Sequence, residues 1–216
     1  FSDRQPPAQR LPNLTQPSHG FARTSRWQVS HKETDDNDAS LELTLPSEII
    51  AKHLRSDITL KVRYTFQENQ ISISLITSNK SAETFIFTQA LHTYFAVTQI
   101  KETRISGLAH DYLDKTRGFD RFEGGDEVLF DQEVDRVYLT SAEKTQLHDA
   151  KSDREIYHHG HDSIVIWNPW KENTEKLADL DDDSYKHFVC IETANTGKKY
   201  TLLPEQSCDL KQTIVF

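Results

Sequence analysis

A glutamate at position 192 follows the run Phe188-Val189-Cys190-Ile191, and a histidine at position 92 is flanked by Leu91 and by the aromatic pair Tyr94 and Phe95. A carboxylate in a run apolar enough to be buried either has a specific partner or has a raised pKa suited to proton transfer. His92 in a similar setting is either a hydrogen-bonded core histidine or one half of an acid/base pair. The two strengthen each other only if the fold brings them together. His158-His159-Gly160-His161 is the one metal-like feature, since histidines two or three apart on an extended loop can converge on a cation. With no cysteine or HExxH beside it, the cluster reads instead as a solvated strand end. No GxxxxGK[ST], GxGxxG or GxSxG occurs, so phosphate-cradling loops and the hydrolase nucleophile elbow find no support.

The elements carrying these residues read as strands. Residues 57–66 (DITLKVRYTF) alternate apolar and polar, residues 70–77 repeat the pattern, and Gln67-Glu68-Asn69 between them predicts an antiparallel hairpin. Further strands are predicted over residues 27–31, 40–45, 84–88, 94–100, 104–108, 136–140, 163–167, 187–193, 199–203 and 212–216. Helix signals are confined to a short IIAKHL segment after Pro46 and to residues 172–180, ahead of the acidic cluster Asp181-Asp182-Asp183. Many short strands without βαβ alternation predict an all-β protein, read as one domain over residues 1–216.

Composition narrows the partners. The 216 residues carry 25 Lys+Arg against 34 Asp+Glu, a net charge of −9, which argues against a general nucleic-acid binder and requires a local basic pocket for any anionic ligand. No apolar run approaches a membrane span. Two cysteines, Cys190 and Cys208, fall far below a disulfide framework, and a reducing cytoplasm is expected. Residues 1–18 read as an irregular loop, with Pro6, Pro7, Pro12 and Pro17 in it; a start at Phe1 inside that loop suggests a chain lacking its amino-terminal strands.

HGFAR (residues 19–23), ALHTYF (90–95), ISGL and YLDK (105–115), EVDRVY (133–138), VIWNPW (165–170) and FVCIETAN (188–195) occur in order and spacing that resemble the hexose-6-phosphate mutarotases of the aldose 1-epimerase superfamily. The likeness runs from about His19 to Leu210, and ALHTYF, WNPW and FVCIETAN together are highly specific. It implies a galactose-mutarotase-like β-supersandwich of twisted antiparallel sheets, and interconversion of the anomers of a hexose 6-phosphate, glucose 6-phosphate foremost. It also implies His92 as general acid on the ring oxygen and Glu192 as general base on the anomeric hydroxyl. Arg23 matches the substrate-binding arginine of HGFAR, while Asp135 and His19 match residues that bind sugar hydroxyls. The chemistry implied needs no cofactor and no metal, and the protein is expected to act as a monomer.

Two departures stand out. Ser18 replaces a glutamine that related sequences can place against substrate, and an Arg-Gly-Gly segment that precedes HGFAR in the family is absent. The expected geometry sets His92 and Glu192 facing one another across a concave pocket about a sugar ring wide, with Arg23 and Asp135 on its rim. The alternatives are a mutarotase for unphosphorylated aldoses, against which Arg23 argues, and a carbohydrate-binding β-sandwich without turnover, against which the retained pair argues.

Overall fold

Alternation of apolar and polar side chains, with few helix-favouring stretches, folds the chain into extended strands that bury one face at a time. The computed structural model describes residues 19–55 and 57–216; the loop assigned to residues 1–18, Ser18 included, lies outside them. Among the described residues the strands are β1 (Gln28–Thr34), β2 (Ala39–Thr44), β3 (Ile58–Gln67), β4 (Gln70–Asn79), β5 (Phe85–Ala96), β6 (Arg104–Ser106), β7 (Asp111–Asp114), β8 (Asp120–Glu123), β9 (Glu127–Leu129), β10 (Val134–Tyr138), β11 (Lys144–His148), β12 (Arg154–His159), β13 (Ser163–Asn168), β14 (Phe188–Leu202) and β15 (Ser207–Val215). Among the described residues two short α-helices, α1 (Ser47–His53) and α2 (Trp170–Thr174), interrupt them.

One sheet runs β1-β2-β3-β4-β15-β12-β11-β6-β9 and the other β5-β14-β13-β10-β7-β8. Neighbours pair antiparallel, as in the β3–β4 hairpin, where Gln67 pairs with Gln70 around Glu68-Asn69. The expected all-β supersandwich is borne out. Phe95, Val134, Tyr138, Ile164, Ile166, Val189 and Ile191 of the six-stranded sheet pack against Ile105, Leu147, Ile156 and Ile214 of the nine-stranded one. Because side chains alternate along a strand, His92, Asp135, Val137, Val165, Trp167 and Glu192 occupy the opposite, outer face of the six-stranded sheet.

Several boundaries differ from the sequence expectation. The apolar pattern separates residues 84–88 from residues 94–100, whereas the structure runs a single strand, β5, from Phe85 to Ala96, and His92 lies well inside it. The period is hidden because Gln89 and Thr93 are polar on the inward face, where Gln89 donates to Asn195 Oδ1 at 2.9 Å. Likewise β14 joins two expected strands through a register shift between Asn195 and Tyr200. The second helix is Trp170–Thr174 rather than residues 172–180. His158 is buried, not solvated: its ring nitrogens engage Thr145 Oγ1 at 2.9 Å and Thr193 Oγ1 at 2.7 Å, linking the two sheets.

Candidate active site

Register alone assembles the centre of the site. On β5 and β14, His92 sits directly opposite Glu192, which is in turn opposite Val165 on β13. Directly opposite side chains on antiparallel strands stand roughly 4.5–5.5 Å apart at Cβ, so the two functional groups meet: His92 Nε2 lies 3.2 Å from Glu192 Oε1. The expected separation by a sugar ring is thereby corrected. Strand pairing, not a facing wall, brings residues distant in sequence into contact.

The next row along the sheet is Tyr94, Cys190, Trp167 and Asp135, each opposite the next. The His92 ring stacks on Tyr94 at 5.1 Å and meets Trp167 edge-on at 5.7 Å. These rings flank His92, whose side chain keeps 30% of its surface exposed. Glu192 is only 7% exposed, and burial raises its carboxyl pKa, with Lys115 pulling down and Asp135 pushing up more weakly. Burial lowers that of His92, and His19, Lys115 and Arg23 add to the shift. A buried carboxylic acid beside a neutral imidazole holds one proton between an oxygen base and a nitrogen base, the condition for moving it either way. His92 Nδ1 is buried without a hydrogen-bond partner among the described residues.

HGFAR forms the near wall. His19 and Gly20 both take positive φ, 60° and 74°, which turns the chain sharply into a short 3-10 segment, Ala22–Thr24. Phe21 anchors it: the ring is buried in the cluster with Leu45, Ile50 and Phe85 and stacks on His53 at 4.4 Å. Its carbonyl accepts from Ser25 Oγ at 2.9 Å and Thr24 Oγ1 at 3.2 Å, and Trp27 Nε1 donates to Ala22 O at 3.0 Å. The loop thus brings the His19 ring to 5.8 Å from that of His92. Partial burial, Arg23 and Lys115 hold the His19 pKa below its ordinary value. Arg23 is exposed, and among the described residues it forms no ion pair.

Asp135 does not pair with its neighbour Arg136, whose guanidinium instead lies over Tyr112 at 4.4 Å. Its partner is Lys115, whose Nζ is 2.8 Å from Oδ1 and 2.6 Å from Oδ2. The arrangement is therefore a carboxylate–imidazole pair on an aromatic-lined sheet face, with a second carboxylate and two cations beside it. Such a set can shuttle protons between neighbouring oxygens of a polyhydroxylated ligand and grip an anionic substituent.

The sequence profile describing aldose 1-epimerases matches residues 8–214. The chain belongs to the aldose 1-epimerase family. It is 35% identical over 204 residues to a Salmonella typhimurium protein provisionally named glucose-6-phosphate 1-epimerase, covering 92% of this chain and 67% of that one. A Cenchrus ciliaris protein with the same provisional name is 33% identical over 211 residues, covering 89% of this chain and 62% of the relative. Among solved structures, the Salmonella typhimurium protein YeaD, provisionally described as a mutarotase, superposes with a TM-score of 0.85 at 33% identity, covering 95% of this chain and 68% of that one. The chain thus spans about two thirds of the length of these relatives.

Within this aldose 1-epimerase framework His92, Glu192, His19 and Asp135 cluster at one face, with Arg23 on the adjoining loop. Two contributors, Lys115 and Trp167, carry no role that the sequence alone assigns. Both stand inside the YLDK and VIWNPW motifs, but strand register was needed to aim them at the site.

Proposed function

We propose that this protein interconverts the α and β anomers of a hexose 6-phosphate, glucose 6-phosphate being its substrate. The observation that carries the reading is the His92–Glu192 contact of 3.2 Å on the outer sheet face. Mutarotation needs one proton removed from the anomeric hydroxyl and one delivered to the ring oxygen. Those two oxygens share a single carbon, so an acid and a base in contact match the task better than two groups a ring apart. The proton that the pair keeps on Glu192 first crosses the 3.2 Å contact to His92. Glu192 then takes the hydroxyl proton as the C1–O1 bond becomes a carbonyl, while imidazolium His92 protonates the ring oxygen as its bond to C1 breaks. Rotation about C1–C2 presents the other aldehyde face, and reclosure returns both protons. Opening leaves a neutral His92 beside a protonated Glu192, the state that burial favours. Asp135 and His19 bind ring hydroxyls, and Arg23 takes the phosphate.

Proton counting fixes the pH dependence. The pair works with one proton, so exchange should fall when it holds two or none. Burial sets His92 at about 4 and Glu192 at about 8. The acid limb therefore reports a second proton arriving on His92 and the alkaline limb the last one leaving Glu192. Anomer exchange followed by NMR should be bell-shaped between those limits, and a rate still rising well above pH 9 would contradict the scheme.

No helix among the described residues is long and apolar enough to cross a membrane. Two free, buried cysteines, Cys190 and Cys208, accord with a reducing compartment, and the proposed setting is a single-domain, cytoplasmic monomer without cofactor or metal. The deciding experiment is anomer exchange in the full-length protein with glucose 6-phosphate and glucose measured side by side. Exchange of neither sugar would end the epimerase reading.

A further inference from the structure

Lys115 stands at the end of β7 in a turn built to hold it. Asp114, buried, accepts from Thr116 N at 2.9 Å and Thr116 Oγ1 at 2.6 Å. Gly118 closes the turn at φ 71°, and Phe119 N returns to Asp114 O at 2.8 Å. Asp114 is also the register partner of Arg136 across β7 and β10, which sets the turn against the strand bearing Asp135. The ammonium then reaches both oxygens of that carboxylate, at 2.8 and 2.6 Å, with side-chain exposures of 27% for Lys115 and 16% for Asp135. A flexible lysine on an open surface would not be constrained this way.

We infer that Lys115 is a positioning residue of the sugar site, holding the Asp135 carboxylate ionised and oriented as a hydroxyl acceptor beside His92 and Glu192. This rests on the epimerase reading and names one of its working parts. The charges around Asp135 make the case. Asp114 approaches from β7, Glu133 from the residue just ahead of its own strand, Glu192 from β14 and His19 from the HGFAR loop. Three of those four are carboxyl groups, and the fourth is an imidazole. Lys115 is the positive charge in contact with the carboxylate. Burial raises the Asp135 pKa, and the Lys115 hydrogen bond and charge oppose that rise. Without the ammonium, burial and Asp114 both push that pKa further up. A protonated Asp135 would present a donor where the sugar hydroxyl needs an acceptor.

Lys115→Met and Lys115→Arg in the full-length protein separate this role from a structural one. With glucose 6-phosphate, Lys115→Met should raise KM by roughly tenfold or more, as expected for losing a charged hydrogen bond. The loss should deepen as pH falls, because Asp135 then protonates nearer neutrality. Lys115→Arg, which keeps the charge, should recover most of it. Independently of turnover, a carbon-13 carboxyl titration, assigned with Asp135→Asn, should show the Asp135 midpoint moving up in Lys115→Met and staying near wild type in Lys115→Arg. An unmoved midpoint in Lys115→Met, or equal and pH-independent losses in both variants, would overturn the assignment. Absence of exchange in the wild-type protein would instead overturn the epimerase reading, and the titration would still decide the Lys115–Asp135 link.

Discussion

Glu192→Gln should lower anomer exchange by about 10²–10⁴-fold, and His92→Asn by a similar factor, the usual cost of removing a positioned base or acid. Gln matches Glu in shape, so the loss in Glu192→Gln should fall on the proton transfer, whereas His92→Asn also gives up the ring contacts with Tyr94 and Trp167. Glu192 lies buried between Val165 and His92, and burial already disfavours its charged form. Below about pH 8 that burial already keeps the group a neutral acid, so a neutral amide replaces it like for like, and the thermal midpoint of Glu192→Gln should stay close to that of the wild type. Loss of rate without loss of stability separates a catalytic role from a structural one. The two residues share one proton, so their effects should not multiply: a double variant should be little slower than the worse single one. Exchange NMR with glucose 6-phosphate and calorimetry on the same samples provide both readings. Near-normal exchange in Glu192→Gln would show that the carboxyl is not the base.

The strand content was legible in residues such as Ile58, Leu60 and Val62, whose alternation survives because one face of β3 is polar. It was less legible where both faces carry mixed residues. In β5 the inward Gln89 and Thr93 mask the period, and in β14 Phe188 through Asn195 are all buried, which removes the contrast that periodicity depends on. β7, β8 and β11 are short and largely polar, and their pairing comes from neighbours distant in sequence rather than from local preference. The site followed the same division. His92 and Glu192 stood out as titratable groups in apolar settings, but their contact depends on the β5–β14 register, which a sequence does not print. Lys115 was hidden for a further reason: a partly exposed lysine after a strand is ordinary until the cap on Asp114 and the placement of Asp135 give it a direction.

Arg23→Ala should weaken glucose 6-phosphate by about 1.5–3 kcal/mol, the worth of a hydrogen bond to a charged group, while changing glucose little. At about 1.4 kcal/mol per decade this is roughly a 10- to 100-fold rise in KM. A net charge of −9 repels a sugar phosphate at long range, so its capture must depend on short-range contacts. Arg23 is suited to that task because Phe21, Ser25 and Trp27 fix the backbone around it while its own side chain stays exposed and, among the described residues, unpaired with any carboxylate. Exposure brings ionic screening, so the penalty should approach its lower bound as salt is raised. Arg23→Lys should recover only part of the loss, since an ammonium is a point charge without the planar fork that holds two phosphate oxygens. Comparing KM for the phosphorylated and free sugar in each variant separates the two roles this residue could have. Equal losses for both sugars would mean that Arg23 shapes the HGFAR loop over His92, and would move the substrate from a hexose phosphate to unphosphorylated aldoses.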